Sequence, residues 1–578
     1  MYSCRLLLCG LLALGSSAHA DVFTVGSGAA CTHASIQDAI TAGLANGTGL
    51  DVINVARNRS YTAQALVAQN DTLVIQGGFA DCSSATGDPN NPTVLSGAGG
   101  AAAPVLRIQG SGNVTLRNLV LQGGDAPANA DGGGLAIVDG PHQITLNNVQ
   151  LASNHAGRGA GMAVTTGVST ISVTFQGDSR IYGNQASSDG GGIYCRSASL
   201  SLVTENLIIN SNTSGRDGGG VYAENCGIDL ASGHALGALW NNQAVRNGGG
   251  IYVFGAFGGT RIYSLFSDAL TRLNANNATV GGGAVYAADG ARVDIQNIEV
   301  VDNSAQDGGA ILMRGSSGSI NNDLTIASSG VAPAAVACPI GRICNRYINN
   351  RSSVGGVVSN GAAAIAYRLE NGSAGRAHIQ RAIFEGNQGG RVIHSFIPSA
   401  GAFNQMELIN VALSGNQQTD PQGALIYGQK MTLNFVSIAG NTLTGSAVIR
   451  GFDLQTVLGY VAAFQPGKPL LLQSGGSVLS GYLIANDLSG IPPTVNNLEA
   501  DPLFVSASDL HLRPGSLAID YATSSAALAP PYNTDIFGQP RPVDDSQVPN
   551  AFGPIDVGAY ESEADALFAN GFEPCFSC

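Results

Sequence analysis

Asp189-Gly190-Gly191-Gly192-Ile193-Tyr194, Asp217-Gly218-Gly219-Gly220-Val221-Tyr222 and Asn247-Gly248-Gly249-Gly250-Ile251-Tyr252 repeat one phrase. Looser copies run from Asp131 to Leu135, Gly159 to Met162, Gly282 to Tyr286 and Asp307 to Ile311. The tyrosines Tyr194, Tyr222, Tyr252 and Tyr286 recur at intervals of 28, 30 and 34 residues. An asparagine precedes each cluster from Gly159 onward: Asn154, Asn184, Asn212, Asn242, Asn276 and Asn303. Within a unit, short apolar runs such as Ile193 to Cys195, Leu200 to Val203 and Leu207 to Ile209 alternate with Gly and Asn turns. Three short strands in a period near thirty are what one turn of a parallel β-solenoid requires.

The residue types follow from stacking. Coils repeat at the ~4.8 Å strand spacing, so tight corners with positive φ fall to Gly, and Asn amides form ladders between coils. Strand alternation puts Ile193, Val221, Ile251, Val285 and Ile311 toward a core and the tyrosines on the opposite face. Later units at Phe384 to Asn387, Leu413 to Asn416 and Ile438 to Asn441 carry the pattern to about residue 500. The expected fold is a single all-β, three-sided right-handed parallel β-helix of roughly 16–19 coils, about 80 Å long. Ser35 is placed to N-cap a short capping helix with Ile36, Ile40 and Leu44 on one face, followed by strands at Val52 to Val55 and Leu73 to Gln76. The stretch 330–350, around Cys338 and Cys344, reads as an excursion.

Composition agrees with a repeat array. Glycine fills 79 of 578 positions and charged residues only 11%, well under the ~25% of ordinary domains. The net charge of -14 argues against a nucleic-acid partner, which demands a basic face. Arg5, the apolar run Leu6 to Leu14 and Ala18-His19-Ala20 read as a secretory signal cleaved after Ala20. No later apolar run is long enough for a transmembrane helix. Eight cysteines remain after the signal: Cys31, Cys82, Cys195, Cys226, Cys338, Cys344, Cys575 and Cys578. An even number in an exported chain implies disulfides, and proximity suggests pairing them in that order, though sequence alone does not fix connectivity. Residues 1–20 are thus the signal, 21–100 the cap and first coils, 101–500 the β-helix, 501–562 a C-terminal capping region and 563–578 a tail.

The Gly-Gly-Ala/Gly-Ile clusters with their Phe/Leu-x-x-Asn turns, across roughly 130–450, resemble the repeats of chlamydial-type polymorphic outer-membrane proteins, within the pectin-lyase-like β-helices. Asp501 to Phe504, Leu510 to Ser516, Ala518 to Asp520, Asp535 to Gly538, Arg541-Pro542 and Asp556 to Glu561 are similar to the choice-of-anchor Q region of bacterial surface β-helix proteins. These resemblances imply export and deployment outside the cell or at its surface or outer membrane; they do not imply an enzyme. The chain departs from the polymorphic proteins in lacking the ten-residue alternating strands of a terminal membrane barrel, so self-transport is not expected.

Three groups are candidates for chemistry or binding, each with two readings. The acidic column Asp131, Asp189, Asp217 and Asp307 would stack coil on coil, close enough to share Ca²⁺ or to support a lyase; alternatively each Asp caps its own turn and a neighbouring Arg158, Arg216 or Arg246 neutralises it. The tyrosine column offers either a stripe on which sugar rings stack or a ladder that stabilises the solenoid without a ligand. Asp520, Asp535, Asp556 and Glu561, with Arg541, either bind a cation or tie an extended segment across the last coil. No G-x-S-x-G, H-E-x-x-H or P-loop occurs. The function expected is non-catalytic and adhesin-like, with glycans or cell-surface components as partners; a polysaccharide lyase or glycosidase acting in a groove along the sheet is the alternative.

Overall fold

The triglycine turns answer two separate demands. Gly190, Gly218, Gly248, Gly282 and Gly308 have φ between 59° and 67°, the left-handed region that only Gly enters without strain. At the next position the constraint is space: a Cβ on Gly191 or Gly219 would come within 2.4 Å of a carbonyl oxygen in the following coil. Leaving the turn, strands Ile193–Arg196, Val221–Glu224, Ile251–Phe254, Val285–Ala288 and Ile311–Gly315 pair in parallel, with Ile193, Val221, Ile251, Val285 and Ile311 in one row. All five are fully buried, as alternation requires.

The computed structural model describes residues 21–562, apart from 48, 70, 141–142, 168–170, 236, 256–258, 329–335, 399–403 and 524–527. The chain is a parallel β-helix. Its strands form a 24-stranded sheet, a 14-stranded sheet running from Leu66–Gln69 to Leu471–Ser474, and an 11-stranded sheet made mostly of two-residue strands that follow the asparagines. Parallel pairing extends from Val22–Val25 on Leu50–Ala56 to Val478–Ala485 on Asn497–Glu499. One continuous apolar core runs inside the coils from Val25 to Ile491. In the long strands a mid-strand residue in the left-handed region turns a corner: Asn118, Asn148, Arg381, Asn410, Phe435, Tyr460 and Tyr482 have φ between 49° and 57°.

Asparagine lines the adjoining inner corner. From Asn154 through Asn184, Asn212, Asn242, Asn276, Asn303, Asn350, Asn387 and Asn416 to Asn441, each side-chain amide donates to the next Oδ1 at 2.9–3.1 Å. The row is buried throughout. Its amides also satisfy turn carbonyls such as Leu151 and Ile181, which water does not reach.

Ser35 caps helix Ile36–Asn46 by accepting the Asp38 N–H at 3.0 Å. Its inward face is Ile36, Ala39, Ile40 and Gly43, whereas Leu44 is 37% exposed. Leu44 is displaced because Gly43 lies against Asp51, where a Cβ would meet Oδ2 at 2.9 Å. Disulfides join Cys31 to Cys82, Cys195 to Cys226 and Cys338 to Cys344; Cys575 and Cys578 lie outside the described residues, as does the signal segment. The expected excursion is shorter than 330–350, since Asn345–Ile348 is a strand within the stack.

The described residues of 501–562 are not confined to the last coil. They wrap the outside of the corner across several coils, where Arg381 Nε donates to the Ile536 carbonyl, Asn410 to that of Thr534, and the Ala559 N–H to Ser437 Oγ. The aromatic corner residues explain the position. Phe435, Tyr460 and Tyr482 stack outward with centroids 4.3 and 5.3 Å apart, and the wrap covers them, building a second apolar core with Tyr521, Ile536, Ile555 and Val557.

Candidate functional site

The outer face of the 14-stranded sheet carries the tyrosine column. Rings of Tyr194, Tyr222, Tyr252 and Tyr286 lie parallel within 9°, with centroids 5.1, 4.9 and 5.1 Å apart. The two end rings are buried, Tyr194 at 1% and Tyr286 at 7% exposed, while Tyr222 and Tyr252 between them are half-buried. Register dictates the result, because identical residues one coil apart leave no room between rings for a sugar. At the Tyr194 end Arg158 closes the stack, 4.5 Å from the centroid and donating to the phenol oxygen at 2.9 Å. Burial pushes the Tyr194 hydroxyl up to about 12.

Each aspartate of the acidic column meets an arginine of the following coil. Arg158 forks onto Asp131 with two bonds of 2.7 Å, Arg216 lies 3.7 Å from Asp189, Arg246 forks onto Asp217, and Arg368 is 2.7 Å from Asp307. The carboxylates also accept turn amides, from Asp217 to Asp189, Asn247 to Asp217 and Ala362 to Asp307. Among the described residues, no three His, Cys, Asp or Glu side chains gather in an arrangement able to hold a metal ion.

The C-terminal group is internal to the wrap. Arg541 lies 3.3 Å from Glu561, both side chains wholly removed from solvent, and stacks 3.8 Å over Phe435. Asp535 accepts the N–H groups of Gln539 and Glu561, Asp556 those of Asp520 and Ser562, and Asp520 that of Asp545. Burial raises all four carboxyls, Asp520 to about 6.

A concavity opens where the ladder stops. The row continues from Tyr286 to Leu312, Ala366, His394 and Tyr427; losing the ring at two successive coils leaves a cavity of about 600 Å³ beside Tyr286 and Leu312. Arg314, Arg368, Phe396, Gln306, Asp307 and Asn360 line it. Phe396 is 39% exposed, a large ring held out toward solvent. The ion pairs Arg314–Glu370 at 2.6 Å and Arg368–Asp307 leave the cavity close to neutral. Arg314 holds the Glu370 carboxyl below the usual range, which suits an acceptor and not a general acid. Beneath, burial with Arg368 and Arg391 nearby holds His394 well below its ordinary value, so the ring is neutral at pH 7. Hydrogen-bond donors, acceptors and an aromatic ring thus line one open hollow.

Leu312, Ala366, His394 and Phe396 are absent from the sequence-based candidates. Their register passes through the inserted segment between Ile311–Gly315 and Ala362–Leu369, and no triglycine turn marks the second of these strands. The alternation in Ala364-Ile365-Ala366-Tyr367-Arg368-Leu369 was the available signal.

The family model of the Chlamydia polymorphic membrane protein (Chlamydia_PMP) repeat matches residues 178–196. That segment contains ladder residue Asn184, the Gly190 to Gly192 turn and strand Ile193–Arg196. No curated protein and no solved structure matches the chain. Residues 178–196 are thus similar to a polymorphic membrane protein repeat, and they fold as part of the stacked coils of the parallel β-helix.

Proposed function

We propose that this chain is an exported bacterial surface protein, non-catalytic and adhesin-like, that holds uncharged sugar residues of a glycan in the cavity at the end of the tyrosine ladder. The observation carrying this reading is the break in the ladder at Leu312 and Ala366, bordered by Tyr286, Phe396 and the Arg314–Glu370 and Arg368–Asp307 pairs. Sugar hydroxyls need donors and acceptors alternating in a fixed array, and ion-paired side chains provide both without a net field. The repeat match, the pectin-lyase-like and choice-of-anchor Q resemblances and the N-terminal signal pattern support export and surface placement. Pairing of every acidic-column carboxylate with arginine favours binding over polysaccharide cleavage.

The test is an array of neutral and acidic glycans probed with the full chain, followed by incubation of each retained glycan with ultraviolet and reducing-end readouts. Retention of neutral glycans without new products is expected. Product formation would move the protein to the enzymes, and no retention would remove the reading.

A further inference from the structure

On most of the outer surface arginines and acids pair one for one, as in Arg261–Asp229, Arg292–Asp323 and Arg391–Asp420. The count changes where Thr271–Asn274, Ile298–Val301 and Asn345–Ile348 lie side by side. Arg272, Glu299 and Arg346 fall in one cross-strand row, so a single carboxylate has an arginine on each flank. Arg272 Nε donates to one Glu299 oxygen at 2.5 Å and Arg346 Nη1 to the other at 3.0 Å. The Glu299 side chain is 9% exposed, while those of the two arginines are 42% and 37% exposed. A third arginine, Arg342, comes from the loop closed by Cys338–Cys344, and its Nη1 donates to the Ser267 carbonyl at 2.7 Å.

These three arginines line a cavity of about 540 Å³ in which Glu299 and Asp268 are the two carboxylates. The local balance is therefore one positive charge in excess, on a chain whose net charge is -14. Its lining also includes the apolar Ile343, Ile383 and, from the C-terminal wrap, Phe537. A buried carboxylate that aligns two guanidinium forks beside apolar side chains fits a ring bearing an acid group. This cavity shares no lining residue with the one at the ladder's end.

We propose that it is a second binding site, selective for an acidic sugar: the carboxylate or sulfate lies against Arg342 and Arg346, and the sugar ring packs on Phe537 and Ile343. The excess cation draws the ligand in, and Glu299 keeps the forks ordered before it arrives, so less side-chain entropy is lost on binding.

Calorimetric titration of the full chain with tri-galacturonate, a sulfated chondroitin tetrasaccharide and uncharged maltotriose tests this. One or both acidic oligosaccharides bind more tightly than maltotriose, with affinity falling as salt rises, and the stronger of the two identifies the acid. Arg342→Gln and Arg346→Gln each weaken that binding by about tenfold, with unchanged melting temperature, since Glu299 keeps Arg272 and Arg342 bonds only a surface carbonyl. Phe396→Ala, in the other cavity, leaves it unchanged. No preference for the acidic sugars, undiminished binding by both arginine variants, or loss of acid binding in Phe396→Ala would overturn the assignment.

Discussion

The side-chain amide of Asn212 donates to Oδ1 of Asn242 at 3.0 Å, and the backbone N–H of Asn212 reaches the same oxygen at 3.1 Å. One atom thus satisfies two donors of the preceding coil, while the Asn242 amide goes on to Ile209, Trp240 and Asn276. Asn242→Ala leaves several buried polar groups unpaired at about 1–3 kcal/mol each. A loss of roughly 3–5 kcal/mol in urea unfolding is expected, with faster amide exchange concentrated in the coils around residue 242. Asn242→Asp retains the acceptor but not the donor, and should do nearly as badly.

Cys195 and Cys226 are core residues joining neighbouring coils over a separation of 31 residues. Chain-entropy reasoning for such a loop gives about 3–4 kcal/mol. The Cys195→Ala/Cys226→Ala double variant should lose roughly 3 kcal/mol in denaturant titration, and peptide mapping without reductant should recover the 195–226 linked pair.

The wrap should tighten in mild acid. Burial raises the folded-state values of Asp520, Asp556 and Glu561 above the ordinary carboxylate range, Asp520 to about 6. The folded form therefore binds protons more tightly than the unfolded form, so this contribution is complete below about pH 4 and is lost as pH rises through about 6 and beyond. Hydrogen exchange within 501–562 should be slower at pH 5 than at pH 8 after correction for intrinsic rates, and Glu561→Gln should flatten the difference. Equal protection at the two pH values would contradict the assignment of these groups.

Calcium is expected to leave the melting temperature unchanged, because Asp131, Asp189, Asp217 and Asp307 already face arginine, and the last three also accept turn amides. Differential scanning with millimolar Ca²⁺ against chelator measures this directly, and an upward shift of several degrees would place an ion in the column.

The coils were legible in the sequence because their cause is local and periodic. A glycine at positive φ, a core residue such as Ile193 three positions later and an asparagine eight or nine positions before that residue recur in the six units from Asn154 to Ile311. Asn350 escaped notice, although it continues the ladder between Asn303 and Asn387, because the Gly355-Gly356 pair after it turns into an antiparallel hairpin of Arg351–Val354 with Val357–Val358 and not into a strand of the 14-stranded sheet. The wrap's location was not legible either. Its contacts join residues such as Ser437 and Ala559, 122 positions apart, and no periodicity connects them. The register of the ladder's rings is readable from their spacing, but their exposure depends on what stacks above and below them, which strand alternation does not encode. The break that opens the cavity depends on Ala366 falling in register with Leu312 across an insertion, a relationship only the fold supplies.

The measurement that tests the glycan reading most directly is titration of the full chain and its Phe396→Ala variant with a neutral oligosaccharide retained on the array. Phe396 is 39% exposed, so its truncation should leave folding intact. Loss of the stacking wall should weaken binding by about tenfold, since an aromatic contact is worth roughly 0.5–1.5 kcal/mol beyond the area it buries. Equal affinity in the two proteins would contradict the claim that the broken end of the tyrosine ladder is where this protein holds its ligand.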